Sequence, residues 1–94
     1  KRNKITDMSD LNSKDQILLI KEIVYVSKIM RKLFKTPKLN VEKIGNIITQ
    51  LHIHIIARYK KDSSWPLSVW VVKGKCYSAK ALKEVINKIR IAFK

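Results

Sequence analysis

The sequence predicts an α+β fold. Two amphipathic helical patterns, at residues 13–35 and 78–93, flank a β-branched run at 47–59 whose side chains alternate with period two. Ninety-four residues make one small domain, and no internal repeat or low-complexity segment divides it.

Residues 1–12 are polar, and Asp7 and Asp10 flank Met8 and Leu11, the pattern of a loop that touches a core lightly before a helix. Ser13-Lys-Asp-Gln16 reads as a capping box, with the Ser13 hydroxyl accepting from the third helical N–H and Gln16 reaching back. From there Leu19, Ile23, Val26, Met30 and Leu33 recur at spacings of four, three, four and three, one apolar stripe widened by Ile20, Val24 and Phe34. Lys21, Glu22, Lys28, Arg31 and Lys32 supply the wet side, and Lys32 and Lys35 suit the negative end of the helix dipole. Thr36-Pro37 ends the helix, because a residue before proline is driven out of the α region.

Residues 38–41 suit a short strand and Gly45-Asn46 a turn. The run 47–59 is the expected central strand, bounded by the polar turn 60–64. Its apolar face, Leu51, Ile53, Ile55 and Ala57, requires a covering helix. Pro66 confines its neighbourhood to a loop or sheet edge. Residues 69–72 allow a further short strand, and Gly74 permits a turn. Ser78 is the expected N-cap of a last helix reaching Phe93, with Leu82, Val85, Ile86, Ile89 and Phe93 as its stripe.

The formal net charge of +14 favours anionic partners: nucleotides, nucleic acid or an anionic membrane surface. The lysines are scattered, however, and most of this charge reads as solvated surface. A nucleic-acid binder would cluster basic residues among aromatics, so nucleic acid is not the expected partner. Lys21, Glu22, Lys28 and Arg31 interrupt the longest apolar stretch, so neither a membrane span nor a membrane partner is expected. Cys76 is the sole cysteine, which excludes an intramolecular disulfide and points to a reducing, cytoplasmic setting. No signal peptide is visible, and the chain opens on Lys1, as a fragment or processed chain would.

Both histidines lie two apart in the central run. On a strand Gln50, His52, His54 and Arg58 share one face, opposite the apolar one. A strand that buries one side and presents a row of nitrogen groups on the other suggests a site. Two imidazoles so placed could chelate zinc, but that needs one or two more ligands, and Cys76 and the scattered carboxylates supply none at a telling spacing. Arg58 reads as a solvated charge at the strand end. Trp65 and Trp70 read as packing residues rather than base-stacking ones.

The stretch Gln50-Leu-His52-Ile-His54-Ile-Ile56 resembles the motif of the histidine-triad (HIT) family of nucleotide hydrolases and transferases, His-φ-His-φ-His-φ-φ with φ apolar. Glutamine stands at the first position. The approach through Leu39-Asn40-Val41 and Gly45-Asn46, and the departure through Ala57-Arg58, Trp65-Pro66 and Val69-Trp70, are similar to a group of small bacterial HIT-like proteins that also carry glutamine there. The likeness is good over about residues 35–70 and looser through the flanking helices.

The resemblance implies an antiparallel sheet packed with helices, and nucleotidyl transfer through a nucleotidyl-histidine intermediate. His52 matches the nucleophile. His54 matches the histidine that donates to the phosphate or bridging oxygen. Gln50 and Asn40 are supporting or phosphate-binding residues, and Trp70 walls the site. Gln50 can donate a hydrogen bond but cannot act as a general acid near neutrality. Ile47 stands where many relatives carry a Ser or Thr that helps the leaving group. The chemistry needs neither metal nor other cofactor. The implied partners are a nucleotide or other small phosphorylated ligand and a second copy in a homodimer. Relatives have further strands before the segment that begins here, so residues 1–94 are expected to form a single, partial HIT-like domain, truncated at the N-terminus. The alternative is a catalytically silent HIT-like module that binds nucleotide or protein.

Overall fold

The computed structural model describes residues 2–94. A 22-residue helix, α1 (Ser13–Phe34), leads into an antiparallel pair, β1 (Lys38–Glu42) and β2 (His54–Arg58), and the chain closes with α2 (Ala79–Ala92). Single 3₁₀ turns lie at Met8–Asp10 and Val69–Val71. This is the α+β order expected, with two differences that bear on the site.

The helix start sits one residue earlier than the capping box suggested. Asn12 is the N-cap, its Oδ1 accepting from the Asp15 N–H at 2.8 Å, while the Gln16 amide donates to the Leu11 carbonyl at 2.9 Å. Asn is as strong a cap as Ser, and the shift sets Asp15 in the first turn, where the dipole favours an acid. At the other end Lys35 is left-handed, φ 48°, and the Tyr59 hydroxyl donates to the Phe34 carbonyl at 2.5 Å, satisfying one of the orphan acceptors of the last turn. Thr36, 4% exposed, then sews helix to sheet: its Oγ1 lies 2.6 Å from the Arg58 carbonyl and 2.7 Å from that of Lys38.

The central strand is shorter than expected. Its ladder covers His54–Arg58, with Leu39 opposite Ala57, Asn40 opposite Ile56 and Glu42 opposite His54. Residues 47–53 lie outside the sheet, and Leu51 N–H is tied to the Ile5 carbonyl at 2.9 Å. A β-branched run forms a strand only where a neighbour takes its backbone groups, and β1 ends at Glu42, opposite His54. Ile47 and Ile48, 94% and 69% exposed, show how little covers this stretch. The second difference is at 69–72, where a 3₁₀ turn begins with the Ser68 hydroxyl accepting from Trp70 N–H at 3.4 Å. The last helix starts as expected, Ser78 Oγ accepting from the Ala81 N–H at 3.2 Å.

Packing is open. Among the described residues Leu11 is the one buried apolar side chain. The accessible surface is 7991 Å², against roughly 5,600 Å² for a folded monomer of this size. The radius of gyration is 14.9 Å, where about 12 Å is usual for this length. Helix α1 lies against the sheet, and Tyr25 meets Phe93 of the α2 C-cap edge to face at 5.9 Å. Between α1 and residues 51–55 a cavity of ≈ 310 Å³ remains, lined by Leu19, Ile23, Val26 and Ile53 together with the charged Arg2, Asp15 and Glu22. Among the described residues no helix is long and apolar enough to cross a membrane.

Candidate active site

At the end of β2 away from His54 lies a buried cation. Arg58 is 1% exposed, the most deeply buried large side chain among the described residues, and not the solvated charge expected at a strand end. Burial is tolerable because the surroundings supply acceptors to four of its five N–H donors. Nε donates to Asp62 at 2.9 Å, Nη1 to the Asn40 carboxamide at 2.6 Å, and Nη2 to the Ser64 hydroxyl at 3.1 Å and the Leu67 carbonyl at 2.8 Å. The guanidinium also lies 5.6 Å from the centroid of the Trp65 ring. Arg58 thus gathers the loop after β2, including the cis Trp65–Pro66 peptide, onto β1 and β2. Asp62 is held below the usual carboxylate range, first by the Tyr59 N–H and then by Arg58.

His54 opens β2, whereas His52 lies two residues before it, outside the sheet, so the expected row of Gln50, His52, His54 and Arg58 along one strand face does not form. The Nδ1 of His52 lies 2.7 Å from the main-chain carbonyl of Gln50. A carbonyl oxygen only accepts, so Nδ1 carries the hydrogen and, in the neutral ring, Nε2 carries the lone pair. The ring of His54 meets that of His52 at 5.0 Å and 77°, and meets Trp70 at 5.0 Å and 73°. The three rings form a row, His52–His54–Trp70. His52 also lines the cavity beside α1.

Glu42 closes the far end. It lies opposite His54 in the ladder and accepts from Trp70 Nε1 at 2.5 Å and from the Ser68 hydroxyl at 3.1 Å. These are charge-assisted bonds, shorter and stronger than neutral ones. Trp65 packs against Arg58, whereas Trp70 touches His54 with its ring and leaves 56% of the residue exposed.

The structure therefore brings His52, His54 and Gln50 together, with Gln50 acting on His52 through its main chain. Asn40 joins the same sheet but spends its acceptor on Arg58, which turns the carboxamide so that its NH₂ is the donor end. Glu42 and Ser68 escaped the sequence reading, since a single Glu and a single Ser at no telling spacing give no signal. The register of β1 on β2 is what joins them to His54. Among the described residues no three His, Cys, Asp or Glu side chains converge as a metal site.

Comparison with known proteins follows the same residues. The HIT domain model matches residues 1–61. Among solved structures, the chain is similar to a histidine triad protein from Bradyrhizobium japonicum, with 34% identity and a TM-score of 0.90 over 99% of this chain and 70% of that one. A histidine triad protein from Sinorhizobium meliloti 1021 gives 30% identity and a TM-score of 0.87 over 97% of this chain and 68% of that one. One from Marinobacter aquaeolei VT8 gives 32% and 0.87, over 97% and 67%. No curated protein sequence matches. On the family model, these identities and a shared fold, the chain belongs to the HIT (histidine triad) domain family.

Proposed function

We propose that the protein is a nucleotide hydrolase or nucleotidyl transferase acting on the α-phosphate of small nucleotide esters, anhydrides or phosphoramidates. The single observation that carries this reading is the His52 Nδ1 bond to the Gln50 carbonyl, which leaves Nε2 as the nucleophilic nitrogen. A histidine that merely filled space would need no such orientation. In the first step the Nε2 lone pair forms a P–N bond as the bond from phosphorus to the leaving group breaks. The leaving group takes the electron pair and a proton from water. In the second step a water oxygen forms the new P–O bond and gives up a proton, which neutralises the hydroxide left by the first step, while the P–N bond breaks and its pair returns to Nε2. Splitting the displacement in two lowers the barrier of each half. His54 donates to a non-bridging oxygen, a role supported by the contact of its ring with that of His52. The Asn40 amide and Gln50 support the phosphate. Gln50 offers no titrating proton, so leaving groups that depart without a strong internal acid suit the site.

The protein acts as a homodimer in the cytoplasm. The dimer is supported by surface area: the chain exposes some 2,000 Å² more than a monomer of its size should, the scale that an obligate interface covers. The competing reading, a silent binding module, shares this exposed apolar surface but does not need the His52 orientation. The experiment that separates them is AMP release from adenosine 5′-phosphoramidate by the wild type and His52→Ala. Turnover lost in the variant supports the enzyme. Nucleotide binding without turnover in either supports the module.

A further inference from the structure

The peptide unit that joins Gln50 to Leu51 is held at both ends. Its N–H donates to the Ile5 carbonyl at 2.9 Å, and its C=O accepts from His52 Nδ1 at 2.7 Å. A peptide unit is planar, so whatever fixes its N–H also fixes its carbonyl. Hydrogen bonds in such a chain also polarise one another. Residues 47–53 have no strand beside them, and among the described residues the Ile5 bond is the main-chain tie from this stretch to another segment.

The Ile5 carbonyl is itself held in place. Asp10 Oδ2 accepts from the Thr6 N–H at 3.3 Å, the Thr6 hydroxyl at 3.0 Å and the Asp7 N–H at 3.0 Å. These donors keep the Asp10 carboxyl below the usual carboxylate range, the Asp7 N–H first. Asp7 also pairs with Lys43. On the other side of Ile5, Lys4 is left-handed, φ 60°, a conformation that a non-glycine residue keeps only where its surroundings impose it. Residues 5–7 are therefore set from both sides, with the exposed Asp10 as their anchor.

We propose that Asp10, acting through the Ile5 carbonyl and the Gln50–Leu51 peptide unit, is a positioning residue that keeps the hydrogen of His52 on Nδ1. The proposal rests on the reading of His52 as the nucleophile. Loss of the Asp10 carboxylate frees residues 5–7, the peptide unit turns, and the neutral ring then carries its hydrogen on either nitrogen. A ring with its hydrogen on Nε2 has no lone pair there to attack phosphorus.

The test compares the wild type with Asp10→Ala and with Asp10→Asn, which keeps an acceptor oxygen and loses the charge. Leu51 amide exchange and ¹⁵N NMR of the neutral His52 ring are read beside kcat and KM for adenosine 5′-phosphoramidate. In Asp10→Ala the Leu51 amide is expected to exchange about fivefold faster, the scale of one hydrogen bond. His52 then shows hydrogen on Nε2, and kcat falls about fivefold with KM within about twofold. Asp10→Asn recovers most of each. A purely structural role for Asp10 would not move the tautomer, so a ring still protonated on Nδ1 in Asp10→Ala overturns the proposal. So does a Leu51 amide that exchanges at the unprotected rate in the wild type, a result that needs no variant to fold. Absence of AMP release from the wild type removes the enzymatic reading, and the ring spectra still decide the positioning. AMP release that depends on His52 but not on Asp10 removes the positioning alone.

Discussion

Arg58 Nη1 donates to Asn40 Oδ1 at 2.6 Å, linking the last residue of β2 to the middle of β1. This bond joins a cation that has almost no solvent to a residue placed in the phosphate site by family likeness. The loop that carries Ser68 and Trp70 is anchored on the same guanidinium through Ser64 and Leu67. One guanidinium therefore ties the middle of β1 to the loop that carries Ser68 and Trp70.

Replacing Arg58 by Met tests that network. The variant leaves Asn40, Ser64 and the Leu67 carbonyl without the Arg58 donor and Asp62 with the Tyr59 N–H alone, and Arg58→Lys cannot restore a planar fork. The expected loss is about 3 kcal/mol for Met, with Lys recovering less than half. Urea unfolding measures it. A loss under about 0.5 kcal/mol, the range of ordinary surface changes, would show that the buried fork does not hold the loop.

Acid should loosen the same loop. Asp62 has its folded pKa lowered, first by the Tyr59 N–H and then by Arg58. Asp10 is lowered by the Asp7 and Thr6 donors and Asp15 by Arg2. A carboxylate depressed in the folded state contributes stability that is present above its unfolded value, about 3.9, and is lost as pH falls through the folded value. Stability is thus expected to be flat in these groups near neutrality and to decline below about pH 4. Asp62→Asn should shallow that decline. An acid limb unchanged in Asp62→Asn, in pH-dependent urea unfolding, would contradict the assignment.

The helices were the legible part of the chain. Leu19, Ile23, Val26, Met30 and Leu33 needed only helical spacing, and α1 lies where that stripe put it, against the sheet. The approach to the histidines was less so. Alternation in 47–53 is genuine, but a strand also needs a neighbour, and a local pattern carries no information about which backbone lies alongside. The burial of Arg58 was hidden for a related reason. Its acceptors are 18, 4, 6 and 9 residues away, and only the fold converges them. His52 and His54 were visible as a pair, whereas Glu42 and Ser68 became site residues through β-sheet register and a turn.

The tautomer of His52 is a direct consequence of the Gln50 carbonyl. Because the acceptor is main chain, Gln50→Ala should leave Nδ1 protonated and Nε2 bare, and ¹⁵N NMR of the imidazole reads this. Protonation at Nε2 in the neutral ring, in either form, would contradict the proposed nucleophile.

The dimer is checked by sedimentation equilibrium. The open groove and the excess surface predict a dimer at micromolar concentration, and Ile23→Asp, in the groove, should shift it toward monomer. A folded monomer across that range would contradict a homodimeric interface.

The central claim is that His52 attacks phosphorus. The most direct measurement is trapping: incubate the protein with adenosine 5′-phosphoramidate labelled in the α-phosphate, quench, and look for label on the chain. The account predicts label on His52, retained in base and lost in acid as a P–N bond is, and absent from His52→Ala. AMP release that persists undiminished in His52→Ala, or label carried by another residue, would contradict it.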